Sequence, residues 1–279
     1  MRWVTSGIKA EDLVSSKACS RTLLRHFYQF LNKPPLVRPL KRPKETYLKI
    51  DGSYFKRWGC ALAYKEGKEV IFWNFVEREN YLSYYLDLSE ITKLGYVIKG
   101  ITSDRHPGLV WAIKTLFPPD LPHQYCLVHL QRFCQTFLTQ NPQTQAGREL
   151  LELVRLLNQI TSHYEANIWL RWLDRLIERY KDLIKQRTYF RDETGKKSWW
   201  YTHKNLRRVF RALNNAKNNL FFYLDYPGLA KDINGLEAEF SHLKEKTSLH
   251  RGLKRERKKN LVKWYFYFKS KEKKPSEVS

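Results

Sequence analysis

Between residues 47 and 138 the apolar residues fall into short runs of strand length, broken by tight turns and by stretches of helical spacing. That order of elements constrains the fold more than any other feature. Residues 47–51 (YLKID) read as a strand that ends at Asp51-Gly52. Residues 58–64 and 70–76 follow, joined through Gly67, and complete a three-stranded meander. Residues 80–94 read as a helix with Tyr81, Tyr84, Tyr85 and Leu88 at helical spacing. Residues 96–101 form a fourth strand that leads to Asp104, 107–116 a helix, 123–128 a short strand, and a last helix runs to about 138. The order βββαβαβα mixes an antiparallel meander with parallel crossovers, so it predicts an α/β domain.

The ribonuclease H-like fold has this order, and 45–140 is assigned to its first part. From 145 to 219 the pattern changes to a 3.6-residue period (LLELVRLLNQI, IWLRWLDRLIERY, NLRRVFRALNNAKNNL) with no strand signal, which predicts an all-helical insertion over 141–226. A helix beginning near Asn234 rejoins the first domain over 227–250, and 251–279 is a basic C-terminal segment. Ahead of the sheet, 8–31 read as two short helices: 9–15, then a turn at 17–19, then a helix N-capped by Ser20. Its second helix sets Arg21 and Arg25 apart from Leu23, Phe27 and Phe30, as a helix-turn-helix DNA reader would. An ordinary helical hairpin fits equally. The segment (1–33) starts almost at Met1, with little room for a preceding helix or zinc ribbon, as in a truncated chain. Pro34, Pro35, Pro39 and Pro43 among basic residues make 34–44 a stiff linker.

Charge narrows the partners. The 279 residues carry 51 Lys+Arg against 28 Asp+Glu, a net +23, which favours a polyanion. A hydrophobic content of 42% argues against general disorder. No apolar run approaches the roughly 20 residues that span a bilayer, and MRWVTSGIKAEDL lacks the apolar stretch of a signal peptide. Cys19, Cys60, Cys126 and Cys134 are too scattered for a disulfide scaffold, which suggests a reducing, cytoplasmic setting. From Lys244 to Lys274 there are 13 Lys+Arg and three acids, with aromatics interleaved (KWYFYFKSKEKK). These rings either stack on bases or, as Leu261, Trp264, Tyr265 and Phe268 at helical spacing, pack on the core. Lys244, His250, Arg251, Lys254 and Arg255 are candidate DNA contacts here. In the insertion, KKSWWYTHKNLRRVFRAL offers Lys196, Lys197, Trp199, Trp200, His203, Lys204, Arg207 and Arg208, unless both tryptophans are core.

Three carboxylates stand out by position. Asp51 closes the first strand, Asp104 follows the fourth, and Glu237 lies in the first turn of the returning helix. In a ribonuclease H-like sheet the first and fourth strands are neighbours, so the two aspartates would share a crevice. Clustered carboxylates need compensation, and two divalent cations supply it while clamping a phosphodiester. Each acid also has a plain reading: a turn at Asp51-Gly52, an N-cap or loop acid at Asp104, and a capping box from Asn234 to Glu237.

LKIDGSYF, GITSDRHPGL with LFPPDLPHQYCLVHLQRF, and NGLEAEFSHLKEK with HRGL resemble the three catalytic blocks of Mutator-like transposases, a family that includes bacterial insertion-sequence transposases. The likeness covers about 45–260. It implies a ribonuclease H-like domain with an Asp-Asp-Glu triad split by a helical insertion, for which 237 − 104 = 133 residues leave room. On that likeness Asp51, Asp104 and Glu237 are catalytic and bind two Mg²⁺ or Mn²⁺ ions, with Glu239 the competing candidate. Arg105 stands where the family commonly has Gly. Arg105, His106 and the Cys126-x-x-His129 block would support the site. By residue type alone, His123, Cys126, His129 and Cys134 could instead hold zinc. The resemblance implies terminal inverted repeats and target DNA as partners, a homodimer or larger assembly on DNA, and a nucleoid location. A non-catalytic derivative that only binds DNA, or a nuclease acting on RNA or hybrids, are the other readings.

Overall fold

The computed structural model of the protein describes residues 2–5, 8, 10–13, 17–56, 58–191, 193–250 and 252–271. In chain order the elements are α1 (Arg2–Thr5), α2 (Lys17–Phe30), β1 (Lys44–Tyr54), β2 (Cys60–Glu66), β3 (Glu69–Val76), α3 (Tyr81–Lys93), β4 (Tyr96–Ser103) and α4 (Pro107–Leu116). They continue with β5 (His123–Tyr125), α5 (Leu127–Leu138), α6 (Gln145–Leu156), α7 (His163–Arg179), β6 (Arg187–Arg191), β7 (Lys197–Tyr201), α8 (Lys204–Ala216), α9 (Asn234–Ser248) and α10 (Arg255–Lys271). The chain divides into two compact units, 1–121 with 233–279, and 122–232.

The first unit is mixed α/β. β1 pairs antiparallel with β2 and β2 with β3, while β4 lies parallel to β1, giving the order β3-β2-β1-β4. Alternation along β2 explains its burial on both sides. Ala61 and Ala63 join Leu236 and Phe240 of α9 and Tyr265 and Phe266 of α10 in one cluster. Leu62 and Tyr64 join Leu88 and Ile91 of α3 and Leu109 and Ile113 of α4 in another. Helices therefore cover both faces of the sheet, and each fully buried Leu or Ile contributes roughly 1.5–3 kcal/mol. Asn80 caps α3 by accepting from the Ser83 N–H at 3.0 Å. Gly95, at φ +99°, ends that helix in the left-handed conformation that favours glycine. One acid is built into the packing: Asp87 of α3 accepts from the Tyr64 hydroxyl at 2.9 Å and from Asn74 Nδ2 at 2.7 Å.

The N-terminal segment differs from its sequence reading. α2 starts at Lys17, so the expected turn at 17–19 is helical and Ser20 is not an N-cap. Lys-Ala-Cys holds no Gly or Pro to stop a helix, and Ala and Lys favour one. Residues 10–13 form a single 3₁₀ turn, and the rest of the expected first helix (9 and 14–15) lies outside the described residues. α2 packs Leu24, Phe27 and Tyr28 on the cluster that holds α10. The Phe30 and Trp264 rings lie 3.9 Å apart, and Trp264 Nε1 donates to the Lys33 carbonyl at 2.8 Å. Arg21 and Arg25 are exposed.

The second unit packs α5, α6, α7 and α8 around Leu130, Leu150, Leu153, Trp169, Leu173, Phe210 and Leu213. Ser162 and Glu165 form a capping box at the start of α7. The unit begins at 122 rather than 141, and it is not all-helical. β6 and β7 form an antiparallel hairpin in which Tyr189 faces Trp199 and Thr188 faces Trp200. The reason lies in RTYFR and KSWWY, which are rich in aromatic and β-branched residues. Between them Gly195 takes φ +83°. The strand expected over 123–128 stops at Tyr125, because Cys126 already caps α5. Among the described residues no helix is long and apolar enough to cross a membrane.

Candidate active site

Two neighbouring strands and one helix start bring the three expected acids into a single electrostatic cluster in the first unit. β1 does not end at Asp51 as expected; it runs on to Tyr54, with Gly52 and Ser53 paired to Leu62 and Ala61 of β2, so no turn forms at Asp51-Gly52. In the parallel ladder Ile50 pairs with Ser103, so Asp51 and Asp104 are the next residues on adjacent strands. A bulge sets this alignment: Thr46 pairs with Ile98 but Tyr47 with Gly100, leaving Lys99 as the extra residue of β4. Asp51 also pairs with Ala63 of β2, and directly opposed residues share a face. That face carries α9, whose first turn holds Glu237.

Lys65 fixes where α9 begins. Its buried ammonium donates to the Gly235 carbonyl at 3.1 Å and lies 3.6 Å from Glu239 Oε1. Ile233, fully buried, occupies the N-cap position with no side-chain capping bond, so the capping box read from Asn234 to Glu237 is not formed. The Lys65 anchor holds a first-turn carbonyl and does not cap the free N–H groups of α9. Of the two glutamates weighed from sequence, Glu239 pairs with Lys65, whereas the charge of Glu237 acts on Asp51.

The field in the cluster is strongly negative. Asp51, 8% exposed, has its carboxyl pushed up to about 8, first by burial, then by Asp104, with Glu237 and Glu79 adding. The Gly52 N–H, donating to Asp51 Oδ1 at 2.9 Å, opposes the rise. Asp104 is oriented by an Asx-type turn in which its Oδ1 accepts from the His106 N–H at 3.0 Å. His106 then takes the N-cap position of α4, with Pro107 at the first helical residue.

Glu79 is the member of this cluster that sequence reasoning missed. It accepts a hydrogen bond from the Tyr84 hydroxyl, and its Oε1 lies 3.9 Å from His106 Nδ1. Its N–H donates to the Tyr54 hydroxyl at 3.2 Å. Burial raises its carboxyl and Asp104 adds to the rise, against Tyr84 and His106. The available signal was topological: β1, β3 and β4 run in the same direction, and Glu79 follows the end of β3 as Asp104 follows the end of β4. Glu79 also explains Gly52, since a Cβ there would meet Leu62 Cδ2 at 3.0 Å, Glu79 Oε1 at 3.1 Å and Cys60 Sγ at 3.2 Å. The Cys60 thiol is pushed up to about 12 by burial, then by Glu79 and Asp51, which leaves it a poor nucleophile.

Such a cluster offers hard oxygen donors that cannot all stay ionised without a cation. Its chemistry fits Mg²⁺ or Mn²⁺. Among the described residues no three His, Cys, Asp or Glu side chains stand together at metal-holding distance. This holds alike for Asp51, Asp104 and Glu237 and for His123, Cys126, His129 and Cys134. Cys126 and Cys134 are buried in the packing of the second unit, where His129 follows one turn into α5. Arg105 is partly exposed beside Asp104.

The candidate DNA contacts fall on several surfaces. Lys196, Lys197, Lys204 and Arg208 are exposed and His203 is partly so. Trp199 and Trp200, at 47% and 48% exposure, lie on the hairpin rather than in the core. Arg187 covers the Trp199 ring at 4.1 Å and Arg207 the Tyr201 ring at 4.0 Å. In the first unit Lys244 and Lys254 are exposed, His250 is partly exposed, and Arg255 lies 3.3 Å from Glu77. Arg251 and the basic tail from 272 lie outside the described residues. Compared with known proteins, the chain matches no family model. No curated protein matches it either.

Proposed function

We propose that this protein is a DNA transposase of the Mutator-like kind, acting through a ribonuclease H-like domain. The observation that carries the reading is the convergence of Asp51, Asp104 and Glu237. They come from two adjacent strands and a helix more than a hundred residues later, and the charges of Asp104 and Glu237 both act on the buried Asp51. Asp51, Asp104 and Glu237 would hold two divalent cations. When bound, these supply Lewis acidity for in-line displacement at a phosphodiester and neutralise the carboxylates. The chain's own part is positioning. The His106 N–H orients the Asp104 carboxylate, Lys65 holds the turn that presents Glu237, and Tyr84 holds Glu79 behind them. The exposed hairpin tryptophans and their cationic neighbours suit stacking on unpaired bases with phosphate neutralisation. Synapsis of two ends would require at least a dimer on DNA.

The test is strand transfer by the purified chain on a labelled duplex from the DNA flanking its gene, with Mg²⁺ present or chelated. Metal-dependent joining is expected, lost in Glu237→Gln while DNA binding persists. Salt-sensitive binding without cleavage in either Mg²⁺ or Mn²⁺ sinks the reading and leaves a DNA-binding protein without this chemistry. Preferential cleavage of an RNA–DNA hybrid would replace it with a nuclease.

A further inference from the structure

The first unit has a cavity of about 630 Å³ whose walls carry Tyr54, Phe55, Lys56, Trp58, Lys244 and Lys258. Its size is that of a small-molecule site. Its lining is aromatic and cationic: Lys258 Nζ lies 5.5 Å from the centre of the Trp58 ring, and Lys244 Nζ 5.8 Å from that of Phe55. Rings of this kind are anchored on one side. Trp58 packs on Phe55 at 5.3 Å and on Phe75 at 5.5 Å between ring centres. Tyr54 is half exposed. None of this suits an apolar ligand or a cationic one. A planar ring attached to an anion fits both halves of the lining, and a nucleotide is that chemistry.

The cavity is also tied to the reacting end of the fold. Tyr54 lies three residues beyond Asp51 on β1, and its hydroxyl accepts from the Glu79 N–H at 3.2 Å. On α9, Glu237, Ser241, Lys244 and Ser248 recur at helical spacing on one stripe, and Lys244 and Ser248 line the cavity. Seven residues of helix separate Glu237 from Lys244 by about 10 Å along the axis. A strand whose phosphodiester lay at the carboxylates would therefore run along α9 into this cavity.

From this geometry we propose that the cavity is a nucleotide subsite, which takes an unpaired nucleotide of the DNA strand next to the reacting phosphodiester. Trp58 stacks on its base, and Lys56, Lys244 and Lys258 meet its phosphates. The assignment rests on the transposase reading for its ligand and goes beyond it by giving the substrate a single-stranded feature.

The test uses the full chain with EDTA and fluorescence anisotropy of two labelled duplexes, one blunt and one with a three-nucleotide 3′ overhang. The overhang should bind about ten-fold tighter, the scale of stacking one base on an aromatic ring. Trp58→Ala should reduce that preference several-fold and leave the blunt affinity within about two-fold. Trp58→Phe, which keeps a ring, should retain most of the preference. Lys56→Gln, at an exposed position, decides the matter if Trp58→Ala fails to fold, and should also reduce the preference. Equal binding of the two duplexes by wild type, or a preference that survives Trp58→Ala (or Lys56→Gln where Trp58→Ala does not fold), overturns the subsite. Mg²⁺-dependent cleavage of the blunt duplex is followed in parallel. Cleavage without overhang preference removes the subsite alone, whereas overhang preference without cleavage supports the subsite and removes the transposase reading.

Discussion

α10 and the β6–β7 hairpin are both built from aromatic residues set among lysines and arginines. In α10 the rings go inward: Tyr265 is 1% exposed and Phe266 fully buried, against the sheet and α9. In the hairpin they stay outside, with Tyr189 at 72% and both tryptophans near half exposed. Period is the difference. A helix gathers Leu261, Val262, Tyr265 and Phe266 onto one face that a sheet can cover, whereas a two-stranded ribbon with no layer stacked on it has nothing to bury its rings against. Composition alone thus says little about whether a basic aromatic segment is scaffold or surface.

The strongest way to break this comparison is truncation in α10. Phe266→Ala should destabilise the first unit by about 3–5 kcal/mol in urea unfolding followed by circular dichroism. Trp200→Ala should change stability by less than about 1 kcal/mol in the same measurement. Equal losses would show that the hairpin is as structural as the helix.

Next comes the cation that α10 turns inward. Lys263 has its ammonium lowered by burial, with Asp87 opposing. Asp87 itself is pushed up to about 6 by burial, against its bonds from Asn74 and Tyr64 and the charge of Lys263. A carboxyl raised on folding binds a proton more tightly in the native state. Its stabilising contribution is therefore complete below the unfolded value near 4 and is lost as pH rises through about 6. The loss is up to about 3 kcal/mol. Asp87→Asn should flatten that limb of a stability–pH curve; an unchanged slope would mean that another group sets it.

Smaller effects belong to the hairpin. If it stacks on bases, the Trp199→Ala, Trp200→Ala double variant should bind single-stranded DNA about ten-fold more weakly with its melting temperature unmoved. Lys197→Gln should merely reduce the slope of log affinity against log salt by about one phosphate contact. Salt titrations of both variants separate the stacking role from the charge role.

The same contrast shows where the sequence was informative. Strands β1 to β4 and helices α3 and α4 follow from alternation, from Gly67 at a turn and from Pro107 at a helix start, all local signals. The hairpin falls between segments with a strong 3.6-residue period, IWLRWLDRLIERY and NLRRVFRAL, which mask the short strands RTYFR and KSWWY. That α2 docks on α10 depends on contacts such as Asn260 Nδ2 to the Leu31 carbonyl, 229 residues apart, which no local pattern encodes. Asp104 and Glu237 are legible because each stands at the edge of an element, and Asp51 because Gly52 follows it, although β1 continues to Tyr54. Glu79 sits in a loop between β3 and α3 and becomes visible only when the direction of β3 is known.

The extra residue at Lys99 has a bearing on how this gene can drift. Because β4 already accommodates one residue more than a straight ladder needs, a copy lacking Lys99 keeps Ser103 level with Ile50 and still delivers Asp104 beside Asp51. A copy lacking Thr102 retains every acid but shifts Asp104, setting it level with Ile50 and Arg105 level with Asp51. Two deletions three residues apart thus differ in outcome, and a descendant that preserves all three carboxylates can lose their alignment through length alone.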